Sequence, residues 1–130
     1  MDTMDINCYT SRLEINLDTI QENVNQIRRY TGGLEVLPVV KSNAYGFGTV
    51  AIAKHLVYAC GVRMLATARV FEACQIQDSG CTEAAIMILG PVPSYSIPVV
   101  VERNLQIPLF RTEDAKLLSE EAIRQGKPIV

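Results

Sequence analysis

A lone lysine closes an apolar run. Leu37 to Val40, with Pro38 inside it, delivers Lys41 to a polar, glycine-punctuated segment, Ser42-Asn43-Ala44-Tyr45-Gly46-Phe47-Gly48. Lysine is rarely buried without a partner, so an amine at the mouth of a strand is placed to face a cavity or a ligand. Tyr45 puts a phenol four residues on, and Gly46 and Gly48 leave the backbone free to turn or to approach something closely. The same residues also fit a plainer description, a strand end with a snorkelling lysine followed by a turn. On residue types alone, both descriptions stand.

Other groups offer less chemistry. His55, the only histidine, falls opposite the apolar positions of its helix and beside Lys54, which reads as a solvated face with no role. The four cysteines, Cys8, Cys60, Cys74 and Cys81, have neither CxxC spacing nor histidine neighbours at ligand spacing, so no metal site is expected and they read as reduced, packing thiols. No GxGxxG or GxxxxGK[ST] follows any strand, which weakens nucleotide-binding readings. A formal charge of -2 with interspersed signs gives no electrostatic case for nucleic acid or an anionic membrane surface. No apolar stretch approaches the roughly 20 residues of a spanning helix. Met1 to Thr10 has neither the basic start nor the apolar core of a signal peptide, so a cytoplasmic location is expected.

The elements that must position Lys41 follow from periodicity. At 130 residues, 48% hydrophobic and 20% charged, the chain suits one globular domain. Leu13 and Ile15 alternate with Arg12 and Glu14, as in a short strand. Leu17, Ile20, Val24 and Ile27 then have helical spacing, with Asp18 as N-cap, Gln21 completing a capping box and Gly32 and Gly33 at the far end. Leu34 to Val40 reads as the strand carrying Lys41, although Pro38 cannot donate to a ladder. Thr49 can cap a helix running to Gly61. Strands are expected over Arg63 to Ala68, Ala84 to Leu89 and Gln106 to Phe110. Helices are expected over Val70 to Ser79, Ile97 to Arg103 capped by Ser96, and from Thr112 to Gly126, with Pro128 to Val130 opening a further strand. Alternating strands and helices indicate βα units on a parallel sheet, either doubly wound or a (β/α)8 barrel, and a barrel needs about 250 residues.

The run Val39-Val40-Lys41-Ser42-Asn43-Ala44-Tyr45-Gly46-Phe47-Gly48 resembles the signature of the alanine racemases, pyridoxal-phosphate (PLP) enzymes in which the lysine carries the cofactor. Leu13 to Ile20, with Asn23, is similar to the family's opening strand and helix. Thr67 to Gly80 and Ile86-Met87-Ile88-Leu89-Gly90 are similar to its next βα units. The likeness covers essentially the chain from Arg12 onward. Ser42 stands where the family usually has alanine. Phe47 stands where it usually has histidine, a position outside the family's chemical residues that bears on substrate preference or packing.

The resemblance implies an α/β fold of the (β/α)8 TIM-barrel type with about its first half present: residues 1–11 as an N-terminal tail, residues 12–130 as the first half of a PLP-binding barrel, and the C-terminal β-domain absent. It implies interconversion of L- and D-alanine for peptidoglycan synthesis by a cytoplasmic homodimer. Lys41 would be the Schiff-base lysine and one of two bases, Tyr45 the ligand of the PLP phosphate, and Val39 and Leu89 apolar neighbours of the ring. The second base is a tyrosine of the partner subunit's C-terminal domain in the family, so the chain by itself is expected to be inactive. Two alternatives remain at this point, a racemase of serine or broad specificity and a non-catalytic PLP-binding protein.

Overall fold

The computed structural model describes residues 11–129. The notional tail therefore falls almost wholly outside the described residues, and so does Cys8.

Four parallel strand segments lie side by side in chain order. Strands β1 (Met64–Thr67) and β2 (Ala85–Ile88) pair in parallel, Met64 opposite Ala85 and Thr67 opposite Ile88. Val39 bridges to Ala66 on one side of this pair, and Gln106 bridges to Met87 on the other. The outer segments are shorter than the runs from which they were expected, and proline is the reason. Around Val39 the ladder consists of Val40 N–H donating to the Ala66 carbonyl at 2.8 Å and Ala66 N–H donating to the Pro38 carbonyl at 2.9 Å. Pro38 joins only as an acceptor. At the other edge Gln106 exchanges bonds with Ile86 and Ile88, and Pro108 follows within two residues.

Side-chain alternation splits the sheet into two unlike faces. Val40, Leu65, Thr67, Ile86 and Ile88 point one way and are almost fully buried. They join a core with Ile52 and Leu56, with Ala73 and Ile76 of α4 (Val70–Asp78), and with Ile97 and Val100 of α5 (Ile97–Glu102). The bridged set Val39, Ala66, Met87 and Gln106 points the other way, where Ala66 is buried but Leu37, Val39 and Leu89 remain exposed. One face is packed and the other is open.

Helix α1 (Leu17–Tyr30) starts where Asn16, not Asp18, caps it: the Asn16 side-chain oxygen accepts from Thr19 N–H at 3.0 Å. Of its apolar stripe only Val24 is fully buried, while Leu17 and Ile27 stay exposed. Side chains make up part of the attachment. Helix α3 (Thr49–Lys54) runs on into a π-helical turn, His55–Ala59, in which Cys60 N–H reaches the His55 carbonyl. The widened turn leaves the carbonyls of Ala59 and Cys60 free to accept from Gln21 and Arg28 of α1, the latter at 2.6 Å. Helix α6 (Thr112–Gln125) closes the chain against α5, burying Leu118 and Ala122.

Two expected strands are absent. Arg12 to Asn16 has no ladder partner among the described residues, and Leu13 is 68% exposed, so an alternating sequence alone did not make a strand. Pro128 and Ile129 likewise form none.

Candidate active site

Val39 lies level with Ala66 and Met87, so Lys41 follows two residues later at the C-terminal end of the sheet. Lys41 is half-buried there, and its ammonium enters none of the ion pairs among the described residues. Both ends of its strand position are held. The Val40 carbonyl accepts from Ala44 N–H at 3.2 Å and from the buried Thr49 hydroxyl at 3.2 Å.

The segment after Lys41 is a left-handed turn, α2 (Lys41–Tyr45). Ser42, Asn43, Ala44 and Tyr45 have φ of 52°, 56°, 50° and 56°. A left-handed conformation costs a non-glycine residue about 1–2 kcal/mol, so four in succession store on the order of 4–8 kcal/mol. Strain of this kind persists only where surrounding contacts over-determine it, and those contacts are present. The Asn43 side chain accepts from Thr49 N–H at 3.1 Å, the Asn43 carbonyl accepts from Gly46 and Gly48 N–H, and Ala44 is buried. Gly46 and Gly48, at φ 95° and 93°, complete the turn in conformations that side chains disfavour. The polar loop expected from the glycines is thus a tightly held, strained turn immediately after the lysine.

The remaining expected site residues are distributed around it. Tyr45 is 61% exposed, which rules out a core aromatic, and Phe47 projects from the same turn half-exposed. Val39 and Leu89 are exposed at the open side of the sheet. An apolar groove of about 560 Å³ between α4 and α5, lined by Arg69, Phe71, Cys74, Val92, Tyr95 and others, does not include Lys41 or Tyr45.

Three residues close to Lys41 had drawn no role from the sequence: Asn43, Thr49 as a hydroxyl donor, and Glu72. Glu72 is 6% exposed, and its carboxylate accepts from Ser42 N–H at 2.7 Å, Ala68 N–H at 3.0 Å and Arg69 N–H at 3.1 Å. A signal for it exists, since Arg69-Val70-Phe71-Glu72 has an acid at the third helical position, where a carboxylate reaches back to the N-cap amide. The bond to Ser42 has no signature in sequence.

His55 needs correction. It lies at the π-helical turn with its Nε2 buried and without a hydrogen-bond partner, not on a solvated face. Cys60 and Cys81 are unpaired and buried, and burial pushes both thiols above their ordinary range, as expected of packing cysteines.

Against known proteins, residues 15–130 match the family described as alanine racemase, N-terminal domain. The chain is 39% identical over 124 residues to the alanine racemase of Clostridium perfringens strain SM101, covering 95% of this chain and 32% of that protein. It is 41% identical over 118 residues to alanine racemase 2 of Caldanaerobacter subterraneus subsp. tengcongensis, covering 90% and 30%. The fold superposes on the solved alanine racemase of Clostridium difficile 630 with a TM-score of 0.83 at 29% identity, covering 88% and 30%. A structure of that protein in complex with cycloserine superposes at 0.82. The chain spans about a third of the length of the curated relatives it matches. A lysine at the end of a parallel strand, a strained turn after it, and a family match over nearly the whole chain agree: this chain belongs to the alanine racemase N-terminal domain family.

Proposed function

We propose that this chain supplies the cofactor-holding part of a PLP-dependent alanine racemase, which interconverts L- and D-alanine. The observation that carries the reading is Lys41: an amine without an ion-pair partner among the described residues, at the C-terminal end of the sheet, followed by a strained turn that surrounding contacts hold in place.

The residues around it suit PLP. Lys41 Nζ would hold the cofactor's aldehyde end, the exposed Tyr45 hydroxyl would donate to the phosphate, and Val39 and Leu89 would offer apolar surface to the ring. When bound, the cofactor would supply a sink for the electrons left at the substrate α-carbon. The Lys41 amine would also remove or deliver the α-proton on one face. Proton exchange on the opposite face needs a second base, which the family resemblance assigns to a tyrosine outside these residues.

The four consecutive parallel segments, with a face left open, support the finer fold reading: residues 12–130 form the first half of a (β/α)8 barrel whose active site lies at the C-terminal ends of its strands. The open face then becomes the barrel interior. A homodimer, a cytoplasmic location and a role in peptidoglycan synthesis complete the proposal, and the cycloserine complex of the C. difficile protein supports a small amino-acid-like ligand.

The test is covalent. Incubation with PLP, borohydride reduction and peptide mapping are expected to place the label on Lys41. A label on Lys54 or Lys116, or no label, would overturn the proposal.

A further inference from the structure

Glu72 enters none of the ion pairs among the described residues; both its oxygens are spent on backbone N–H groups. A carboxylate this buried is costly unless its lone pairs are filled, and three amide donors fill them. A helix cap needs only the bond to Arg69 N–H. The other oxygen instead crosses to the neighbouring strand end and takes the N–H of Ser42, thirty residues back and directly after Lys41. Ser42 is also the first residue of the left-handed turn.

Two anchors therefore bracket the lysine. Before it, the Val40 carbonyl is held by Thr49 and Ala44; after it, the Ser42 amide is held by Glu72. The same carboxylate holds Ala68, the residue directly after β1. We infer that Glu72 is the positioning residue for Lys41, fixing the direction of its amine by locking the peptide that follows it to the end of β1. It does not touch the reacting atoms. The inference rests on the reading of Lys41 as the cofactor lysine.

The experiment compares the unmodified chain with Glu72→Gln, which keeps the shape but presents an amide where one acceptor was. Two readouts are taken: the rate of reductive PLP labelling at each lysine, and amide hydrogen exchange at Ser42. Expected are a fall of about tenfold in Lys41 labelling, loss of a Ser42 protection that the unmodified chain shows, and unchanged amide protection at buried core residues such as Val57 and Ile76. A general loss of folding would lower protection throughout the core. Lys41 labelling at the original rate in folded Glu72→Gln would overturn the inference. So would an unprotected Ser42 amide in the unmodified chain, which decides the matter even if the variant does not fold. A protected Ser42 amide with no label on Lys41 would instead overturn the functional reading, and the positioning role with it.

Discussion

Replacing Ser42 tests whether the turn after Lys41 is as strained as its dihedral angles indicate. Ser42 sits at φ 52°, ψ 52° with its side chain exposed, and the one hydrogen bond found for it uses the main-chain N–H, which any residue but proline retains. Substitution therefore changes backbone preference and little else. Ser42→Gly removes a left-handed penalty of about 1–2 kcal/mol and adds about 0.5–1 kcal/mol of unfolded-state entropy, for a net stabilisation between about 0 and 1.5 kcal/mol. Ser42→Val places a β-branched side chain in the same conformation and is expected to cost at least about 1 kcal/mol. The expected order is Gly above or level with Ser, and Ser above Val. In a domain of this size each kcal/mol moves the melting temperature by a few degrees, readable by circular dichroism. A valine variant as stable as the parent, or a glycine variant less stable by more than about 1 kcal/mol, would refute the strained conformation.

Two further outcomes follow from other sites. His55→Phe removes a buried nitrogen that has no partner, and thermal melts are expected to show equal or greater stability, by up to about 1–3 kcal/mol, whereas a partnered histidine would show a clear loss. Stability is expected to fall at both ends of the pH range. The carboxyls of Glu22, Asp114 and Glu121 are held below their ordinary values by hydrogen bonds to Arg29, Arg111 and Arg124 respectively. Their contribution is present above the unfolded-state values and is lost as pH falls through the lowered ones. Glu22 is exposed and Asp114 and Glu121 are partly buried at the surface, each paired with an exposed arginine, so the acid limb is expected to be shallow and flattened by salt. Burial raises the thiols of Cys60 and Cys81, so their contribution is present below their ordinary 9.0 and is lost as pH rises through the raised values. A melting temperature rising on acidification below about pH 4 would contradict the sign.

Much of the frame was legible because it depends on local pattern. The helices from Val70 and Thr112 and the strands at Met64–Thr67 and Ala85–Ile88 fall within a residue or two of the expected spans, since apolar spacing and glycine or proline stops act over short distances. Arg12 to Asn16 alternates as a strand should, yet a strand needs a neighbour, and neighbours are not a local property. The π-helical turn that begins at His55 was hidden because an inserted residue leaves the apolar pattern nearly intact. At the site, Lys41, Tyr45, Val39 and Leu89 were expected from the run around Lys41 and the family it resembles, and the structure sets Lys41 at the end of its strand segment with the other three exposed. The handedness of the turn was not: serine, asparagine, alanine and tyrosine carry no signal for four positive φ values, which tertiary contacts impose. The bond from Glu72 to Ser42 was hidden for the same reason, whereas its reach back to the Arg69 amide had a local signal.

The bond from Glu72 to Ser42 also bears on how the chain is made. Each strand segment pairs with the one synthesised just before it, so a chain leaving the ribosome can add βα units in order without waiting for a distant partner. The turn at Lys41 is secured in two stages. Asn43 reaches Thr49, Gly46 and Gly48 within six residues, but the Ser42 amide waits for Glu72 thirty residues downstream, about 2–6 s at about 5–20 residues per second of synthesis. During that interval the peptide directly after the lysine lacks its carboxylate partner. The geometry that aims the lysine is complete only when the second unit docks.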